Sequence, residues 1–314
     1  MKKFAMVFPG QGSQAVGMLA ELAIEYAVVE ETFQQASEVL GYDLWQLVQQ
    51  GPAEELNKTW QTQPALLAAS VAIYRVWQQK YPQLKPAVMA GHSLGEYSAL
   101  VCADVLDFQD AIKLVELRGK LMQQAVPEGT GAMYAIIGLD NESIIKACAD
   151  AEQGEVVSAV NFNSPGQVVI AGAKAAVERA AAACKEAGAK RALPLAVSVP
   201  SHCALMKPAA DQLAVSLDNI AVKAPSTAVI NNVDVKTETE SAEIRTALVR
   251  QLYSPVRWTE TVEAMAKDGV EVLVEIGPNK VLTSLTKRIV ADLQAAAVND
   301  FASLNAVEEV LVLA

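Results

Sequence analysis

The chain has 314 residues, 52% of them hydrophobic and 19% charged, which supplies a large core and excludes a disordered polypeptide. Its formal net charge of -11 argues against nucleic acid or an anionic membrane surface as a partner, because the surplus of Lys and Arg that neutralises phosphates is missing. The opening Met1-Lys2-Lys3-Phe4-Ala5-Met6-Val7-Phe8 is stopped by Pro9-Gly10, too soon for a signal peptide, and no apolar run reaches membrane-spanning length. The expectation is a soluble protein of the cytoplasm.

Residues 3–8 read as a first buried strand, followed by the loop Pro9-Gly10-Gln11-Gly12-Ser13-Gln14. Helical stretches follow at 18–26 and 32–40, and a long helix at 63–77. Residues 87–90 read as a second strand that runs into Gly91-His92-Ser93-Leu94-Gly95, with 96–102 continuing as a helix. Asp107 is placed to cap a helix over 108–124. From about Pro127 the pattern changes to a strand (132–139), a helix (141–151), two strands (156–160 and 168–171), a helix (174–187) and a strand (191–199). That β-α-β-β-α-β order is that of a ferredoxin-like unit. Beyond it come a helix (203–217), a strand (229–231), a helix (244–252), a strand (272–276) broken by Gly277-Pro278, and a helix (281–290); the tail from about Val298 carries no clear pattern. The fold class expected is α/β: a large α/β-hydrolase-like domain with a parallel sheet, residues 1–126 and 200–314, interrupted by a small ferredoxin-like subdomain at 127–199. The scarcity of aromatics, at 5%, and the abundance of Ala, Val and Leu suit helices packed on a parallel sheet.

Gly91 to Gly95 has the Gly-x-Ser-x-Gly form of a nucleophile elbow, in which a strand turns sharply into a helix and presents a serine hydroxyl. The alternative is an ordinary strand-to-helix turn with a solvated serine. A serine needs a neighbouring base, and the chain has only two histidines. His92 adjoins Ser93, and adjacent side chains on an elbow point apart, so packing or a surface hydrogen bond suits it better. His202 follows the last strand of the inserted unit, where a loop leaving a sheet presents a base; a structural histidine is the alternative. Arg118 has Leu114, Val115, Leu121 and Met122 as its helical neighbours. A guanidinium in an apolar stripe must meet an anion, either a carboxylate of the chain or a ligand carboxylate held by two parallel hydrogen bonds. The loop 9–14 lacks the Lys-Ser/Thr of a Walker loop and the three-glycine dinucleotide pattern. Its glycines let a backbone N–H approach a reacting centre, and such a donor, with the N–H of Leu94, would make an oxyanion hole; a plain turn is the alternative. Cys102, Cys148, Cys184 and Cys203 show no C-x-x-C spacing, so free buried thiols are expected and no metal site.

Phe8-Pro9-Gly10-Gln11-Gly12-Ser13-Gln14, Gln63-Pro64-Ala65, Gly91-His92-Ser93-Leu94-Gly95-Glu96, Arg118-Gly119, Asn161-Phe162-Asn163-Ser164-Pro165-Gly166-Gln167, Ser201-His202 and Glu275-Ile276-Gly277-Pro278 occur in that order. Together they make the chain similar, over all but its C-terminal end, to the bacterial acyltransferase family of fatty-acid synthesis that moves malonyl groups from CoA to acyl carrier protein. The resemblance implies that Ser93 is acylated by malonate and that His202 is its general base and later its general acid. Gln251 would orient His202 through a carbonyl oxygen, and Gln11 and Leu94 would supply the oxyanion-hole N–H groups. Arg118 would hold the free malonyl carboxylate, and Gln63 is an active-site residue without a specified role. Malonyl-CoA and acyl carrier protein are the implied partners of a monomer that uses no cofactor beyond the CoA thioester substrate. Asn279 stands where the family often has glycine, and Asn tolerates positive φ. Lys190-Arg191 and Lys287-Arg288 are candidate docking patches for an acidic carrier protein, or else solvated surface. Two other function classes compete. One is a serine thioesterase or hydrolase, for which Asp234 is the candidate third carboxylate although it follows His202 in the chain. The other is a carrier-protein-binding module that has kept the fold without the chemistry.

Overall fold

The computed structural model describes residues 1–197 and 199–312. Its strands are β1 (Phe4–Phe8), β2 (Val88–Gly91), β3 (Gly131–Ile137), β4 (Val157–Ser164), β5 (Gln167–Ala173), β6 (Arg191–Pro194), β7 (Val229–Ile230), β8 (Val272–Ile276) and β9 (Gln294–Val298). They form a five-stranded sheet, ordered β7-β2-β1-β8-β9, and a four-stranded sheet, ordered β4-β5-β3-β6. All pairings in the first sheet are parallel, and all in the second are antiparallel. The molecule is therefore mixed α/β, with a parallel sheet and a separate antiparallel one.

The parallel sheet explains the continuous apolar runs. Every residue of β1 and β8 is buried, as expected for strands covered by helices on both faces. Their side chains alternate between the two faces. Phe4, Met6 and Phe8 enter the larger core with Phe33, Trp77 and Leu213, whereas Ala5 and Val7 meet Trp258, Val262 and Leu285 on the opposite face. The antiparallel sheet has a core of its own, in which Ile136, Val168 and Ile170 pack on Ile144, Cys148 and Cys184 from the helices Asn141–Ala151 and Lys174–Glu186. It is joined to the rest of the fold through β4: Phe162 N–H donates to Val256 O (3.0 Å) and Val256 N–H to Val160 O (2.8 Å).

Several boundaries differ from those expected. The long helix begins at Thr59, not Gln63, and carries Pro64 in its second turn. The last strand of the antiparallel unit stops at Pro194; Ser198, within the expected span, lies outside the described residues. The tail from about Val298 contains a helix, Phe301–Val312, that buries Leu304, Val307 and Leu311, and β9 lies just before it in a stretch with no expected element. The alanines of β9, Gln294-Ala295-Ala296-Ala297-Val298, carry a weak strand signal, and only pairing with β8 makes them a strand. The helices Leu44–Gln50, Ala53–Leu56 and Trp258–Lys267 were also not anticipated. All four cysteines are free and buried. No described helix is long and apolar enough to cross a membrane.

Candidate active site

The strand β2 ends at Gly91 and the helix Gly95–Cys102 begins four residues later. Ser93, between them, is held at φ 53°, a left-handed conformation that costs a non-glycine residue energy and pushes its side chain out of the turn. The flanking glycines are steric requirements. A Cβ on Gly91 would lie 1.8 Å from Gly95 C, and one on Gly95 would lie 2.0 Å from Phe8 O. Asn232, just past β7, staples the turn: Ser93 N–H donates to its Oδ1 (2.8 Å) and its Nδ2 donates to Gly91 O (2.7 Å).

His202 reaches Ser93 from the loop after the antiparallel sheet. Its Nε2 is 2.7 Å from Ser93 Oγ, and its Nδ1 is 2.7 Å from the backbone carbonyl of Gln251. A carbonyl can only accept, so Nδ1 carries the proton and Nε2 offers its lone pair to the serine hydroxyl. Burial, reinforced by the charge of Arg118, pushes the imidazole pKa down to about 3, so the base is neutral at neutral pH. The competing carboxylate is elsewhere: Asp234 is paired with Arg250, whose Nη1 lies 3.1 Å from it. It makes no contact with His202, and the third position beside the imidazole is a neutral amide.

Arg118 lies on the helix Phe108–Ala125 and is 1% exposed. That helix approaches the long helix closely at Gly119, where a Cβ would come within 2.6 Å of Trp60 Cα. The close approach brings Gln63 alongside: Arg118 Nη1 donates to Gln63 Oε1 (2.8 Å), while Nη2 donates to Gln251 Oε1 (3.0 Å) and Ser93 Oγ (3.4 Å). The guanidinium also sits 5.3 Å from the Tyr97 ring. Its hydrogen-bond acceptors are all neutral, no carboxylate pairs with it among the described residues, and its Nε is buried without a partner. The chain therefore leaves the positive charge of Arg118 unmatched by direct contact, beside the nucleophile, and burial lowers its pKa. Gln63, whose Nε2 reaches Met122 Sδ at 3.6 Å, orients that guanidinium.

Gln11 and Leu94 line the same cleft of about 400 Å3 as Ser93, Arg118 and His202. Leu94 precedes the first residue of the helix Gly95–Cys102, where free N–H groups and the helix dipole favour a negative oxygen. Gln11 lies in the loop after β1, its side chain reaching Thr59 Oγ1 at 3.5 Å. His92 turns away from the serine. Its Nε2 is 2.8 Å from Asn163 Oδ1 and its ring packs at 5.7 Å on Trp258, a packing and hydrogen-bonding role. Asn279 takes φ 70°, as its tolerance of positive φ allowed. Both basic pairs, Lys190-Arg191 and Lys287-Arg288, are exposed, and Arg288 lines a second cleft that shares Gln11, His92 and Asn161 with the first.

Two site residues were given no role from sequence. Glu96 is 2% exposed, and its Oε2 accepts from Asn232 N–H (3.0 Å) and Gln251 Nε2 (2.8 Å). Its helical neighbours Ala99 and Leu100 are apolar, so the buried-charge argument used for Arg118 applied to it equally. Asn232, in a loop, had no such signal.

Residues 5–307 match the family described as "Acyl transferase domain". The chain is 84% identical over 312 residues to the malonyl CoA-acyl carrier protein transacylase of Haemophilus influenzae, covering 99% of this chain and 100% of that protein. Among solved structures, it is similar to an acyl carrier protein S-malonyltransferase from Vibrio cholerae, with a TM-score of 0.96 and 74% identity over 97% of this chain and 99% of that one. It is also similar to a malonyl-transacylase solved in complex with a type II PKS acyl-carrier protein, with a TM-score of 0.96 and 73% identity over 97% and 98% of the two chains.

Proposed function

The chain belongs to the acyl transferase domain family, and from that premise we propose that it moves a malonyl group from malonyl-CoA to the phosphopantetheine thiol of acyl carrier protein, through an ester on Ser93. It is an acyltransferase, and its 84% identity over 99% of its length with a malonyl CoA-acyl carrier protein transacylase supports the substrate pair. The unmatched guanidinium of Arg118, 3.4 Å from Ser93 Oγ, is the observation that selects an acyl group bearing its own carboxylate. The reading is of a cytoplasmic monomer with a large hydrolase-like domain and an inserted ferredoxin-like unit. The strand order β4-β5-β3-β6 with two helices supports the inserted unit. The chemistry uses only groups of this chain and the two thioester partners.

In the first half-reaction Ser93 Oγ attacks the malonyl thioester carbonyl while His202 Nε2 takes its proton. The developing oxyanion is met by the N–H groups of Gln11 and Leu94, and His202 returns the proton to the departing CoA sulfur. In the second half the carrier thiol gives its proton to His202 and attacks the malonyl-serine ester, the acyl–Oγ bond breaks, and His202 passes the proton to the departing Ser93 Oγ, leaving the malonyl thioester on the carrier. General-base work supplies about 10²–10⁴-fold, and one oxyanion donor about 10²–10³-fold. Gln251 holds the imidazole tautomer through its backbone carbonyl. Pairing of Asp234 with Arg250 weighs against the hydrolase reading, which calls for a carboxylate on the imidazole.

Incubation with malonyl-CoA followed by intact mass, with and without carrier protein, tests the reading. A malonyl adduct on the wild type that disappears on adding carrier protein, and that Ser93→Ala never forms, is the expected result. Release of free malonate without an acceptor thiol would instead establish a hydrolase, and no adduct at all would leave only a binding module.

A further inference from the structure

We propose that Glu96 is the displaced carboxylate of this site, a positioning residue that acts on His202 and Arg118 through the two ends of Gln251. The proposal rests on the functional reading above. His202 Nδ1 meets the Gln251 backbone carbonyl at 2.7 Å. The side chain of the same residue donates from Nε2 to Glu96 Oε2 at 2.8 Å and accepts at Oε1 from Arg118 Nη2 at 3.0 Å. One glutamine therefore touches the base, the guanidinium and the buried carboxylate. Gln251 is itself fully buried, so the chain of contacts is shielded from water.

Glu96 has a second hold on the elbow. Its Oε2 accepts the backbone N–H of Asn232 (3.0 Å), and the side chain of Asn232 receives the Ser93 N–H (2.8 Å). The nucleophile, the base and the acyl-carboxylate holder are thus all one residue away from a single carboxylate. The physical need for it is plain. When His202 takes the serine proton, an imidazolium forms in a dry site that already contains the Arg118 cation, and two cations at close range are unfavourable. A negative charge near both offsets that repulsion, as an aspartate beside the imidazole does in a Ser-His-Asp triad. Here the charge stands one residue back, so that Arg118 keeps its free valence for the substrate.

The charge of Glu96 is itself conditional. Burial raises its carboxyl to about 7, against the lowering effect of the Asn232 and Gln251 hydrogen bonds and of the Arg118 charge. The titratable and charged groups around it are Arg118 from the helix Phe108–Ala125, Asp234 from the loop after β7, which raises it further, Glu238, which lines the same small cavity, and Tyr97, its neighbour on the helix Gly95–Cys102. His202 stays neutral far below this range. Lowering the pH through about 7 therefore protonates Glu96 before any other group of the site, and catalysis weakens with it.

The test is the pH profile of single-turnover malonylation of Ser93, for wild type and for Glu96→Gln, which keeps the size and an acceptor oxygen but not the charge. The wild-type rate is expected to fall as pH drops through about 7. The Glu96→Gln rate is expected to be about 10–100-fold lower at pH 8, as for groups that act through a directly contacting residue, and flat across the same range, with the KM for malonyl-CoA changed less than kcat. A Glu96→Gln enzyme that keeps the wild-type rate, or that keeps the acid limb, overturns the proposal. If Glu96→Gln does not fold by circular dichroism, Glu96→Asp decides the matter: retention of the acid limb supports the role and its disappearance refutes it. A wild type that forms no malonyl-serine would instead defeat the functional reading itself, so the two failures are distinguishable.

Discussion

The two sheets of this molecule are built on different terms. The five-stranded parallel sheet carries the polar groups of the site at its carboxyl end: the partly buried Ser93 follows β2, the buried Asn232 follows β7, and the buried Glu96, Arg118 and Gln251 lie on the helices around them. The four-stranded antiparallel sheet encloses an apolar core of Ile, Val, Ala and Cys side chains. It gives the cleft its wall, through Met133, Asn161 and Leu195. A nucleophile elbow needs a strand covered on both faces and a helix N-terminus at its end, and the parallel sheet supplies both. The antiparallel unit needs only to stay folded and in place. Chemistry and shape are therefore separable by mutation to the extent that the two cores are independent.

The largest expected effect tests that independence. Ile170, fully buried in β5, loses its packing in Ile170→Ala, which is expected to cost about 2–5 kcal/mol of stability. Denaturant unfolding measures the loss, while the malonylation rate of Ser93 at low temperature should stay within about twofold of wild type. A parallel fall in rate would show that the wall is part of the chemistry. Next comes Arg118→Ala, which removes charge-assisted bonds worth about 1.5–3 kcal/mol each. The ratio of malonyl to acetyl transfer should drop by about 10²-fold, measured by competition between the two CoA esters; an unchanged ratio would return Arg118 to a purely structural role. The smallest effect is expected from Arg288→Glu on the rim of the second cleft. Its charge reversal should slow transfer to an acidic carrier protein a few-fold at low salt and leave the CoA half-reaction alone, because exposed charges act on encounter more than on chemistry. Equal slowing of both halves would argue against docking at this rim.

The legibility of the chain from its sequence follows the same division. The buried strands and the elbow were readable because each is a local pattern: an apolar run, a Gly-x-Ser-x-Gly turn, an arginine among apolar helical neighbours. The antiparallel unit was readable from the alternation of its elements, although β6 ends earlier than its pattern suggested. The helix Phe301–Val312 and the alanine-rich β9 were missed because their apolar faces gain meaning only against β8 and the larger core. The role of Asn232 had no local signal at all, since its partners are Gly91, Ser93 and Glu96, far away in the chain.

The sequence by itself determined which groups are reactive or costly to bury: a serine that a strained turn must expose, two histidines of which one adjoins that turn, and an arginine that had to meet an acceptor. Those are statements about single residues and their neighbours, and backbone sterics and solvation settle them. Which acceptor each one meets is a matter of tertiary structure. Folding seats His202 on the Gln251 carbonyl, sends Asp234 to Arg250, and places Gln63 and Gln251 on Arg118 while Glu96 stays one residue away. Hydrogen bonds reach only about 3 Å, so partners separated by tens of residues in sequence are assigned by packing alone.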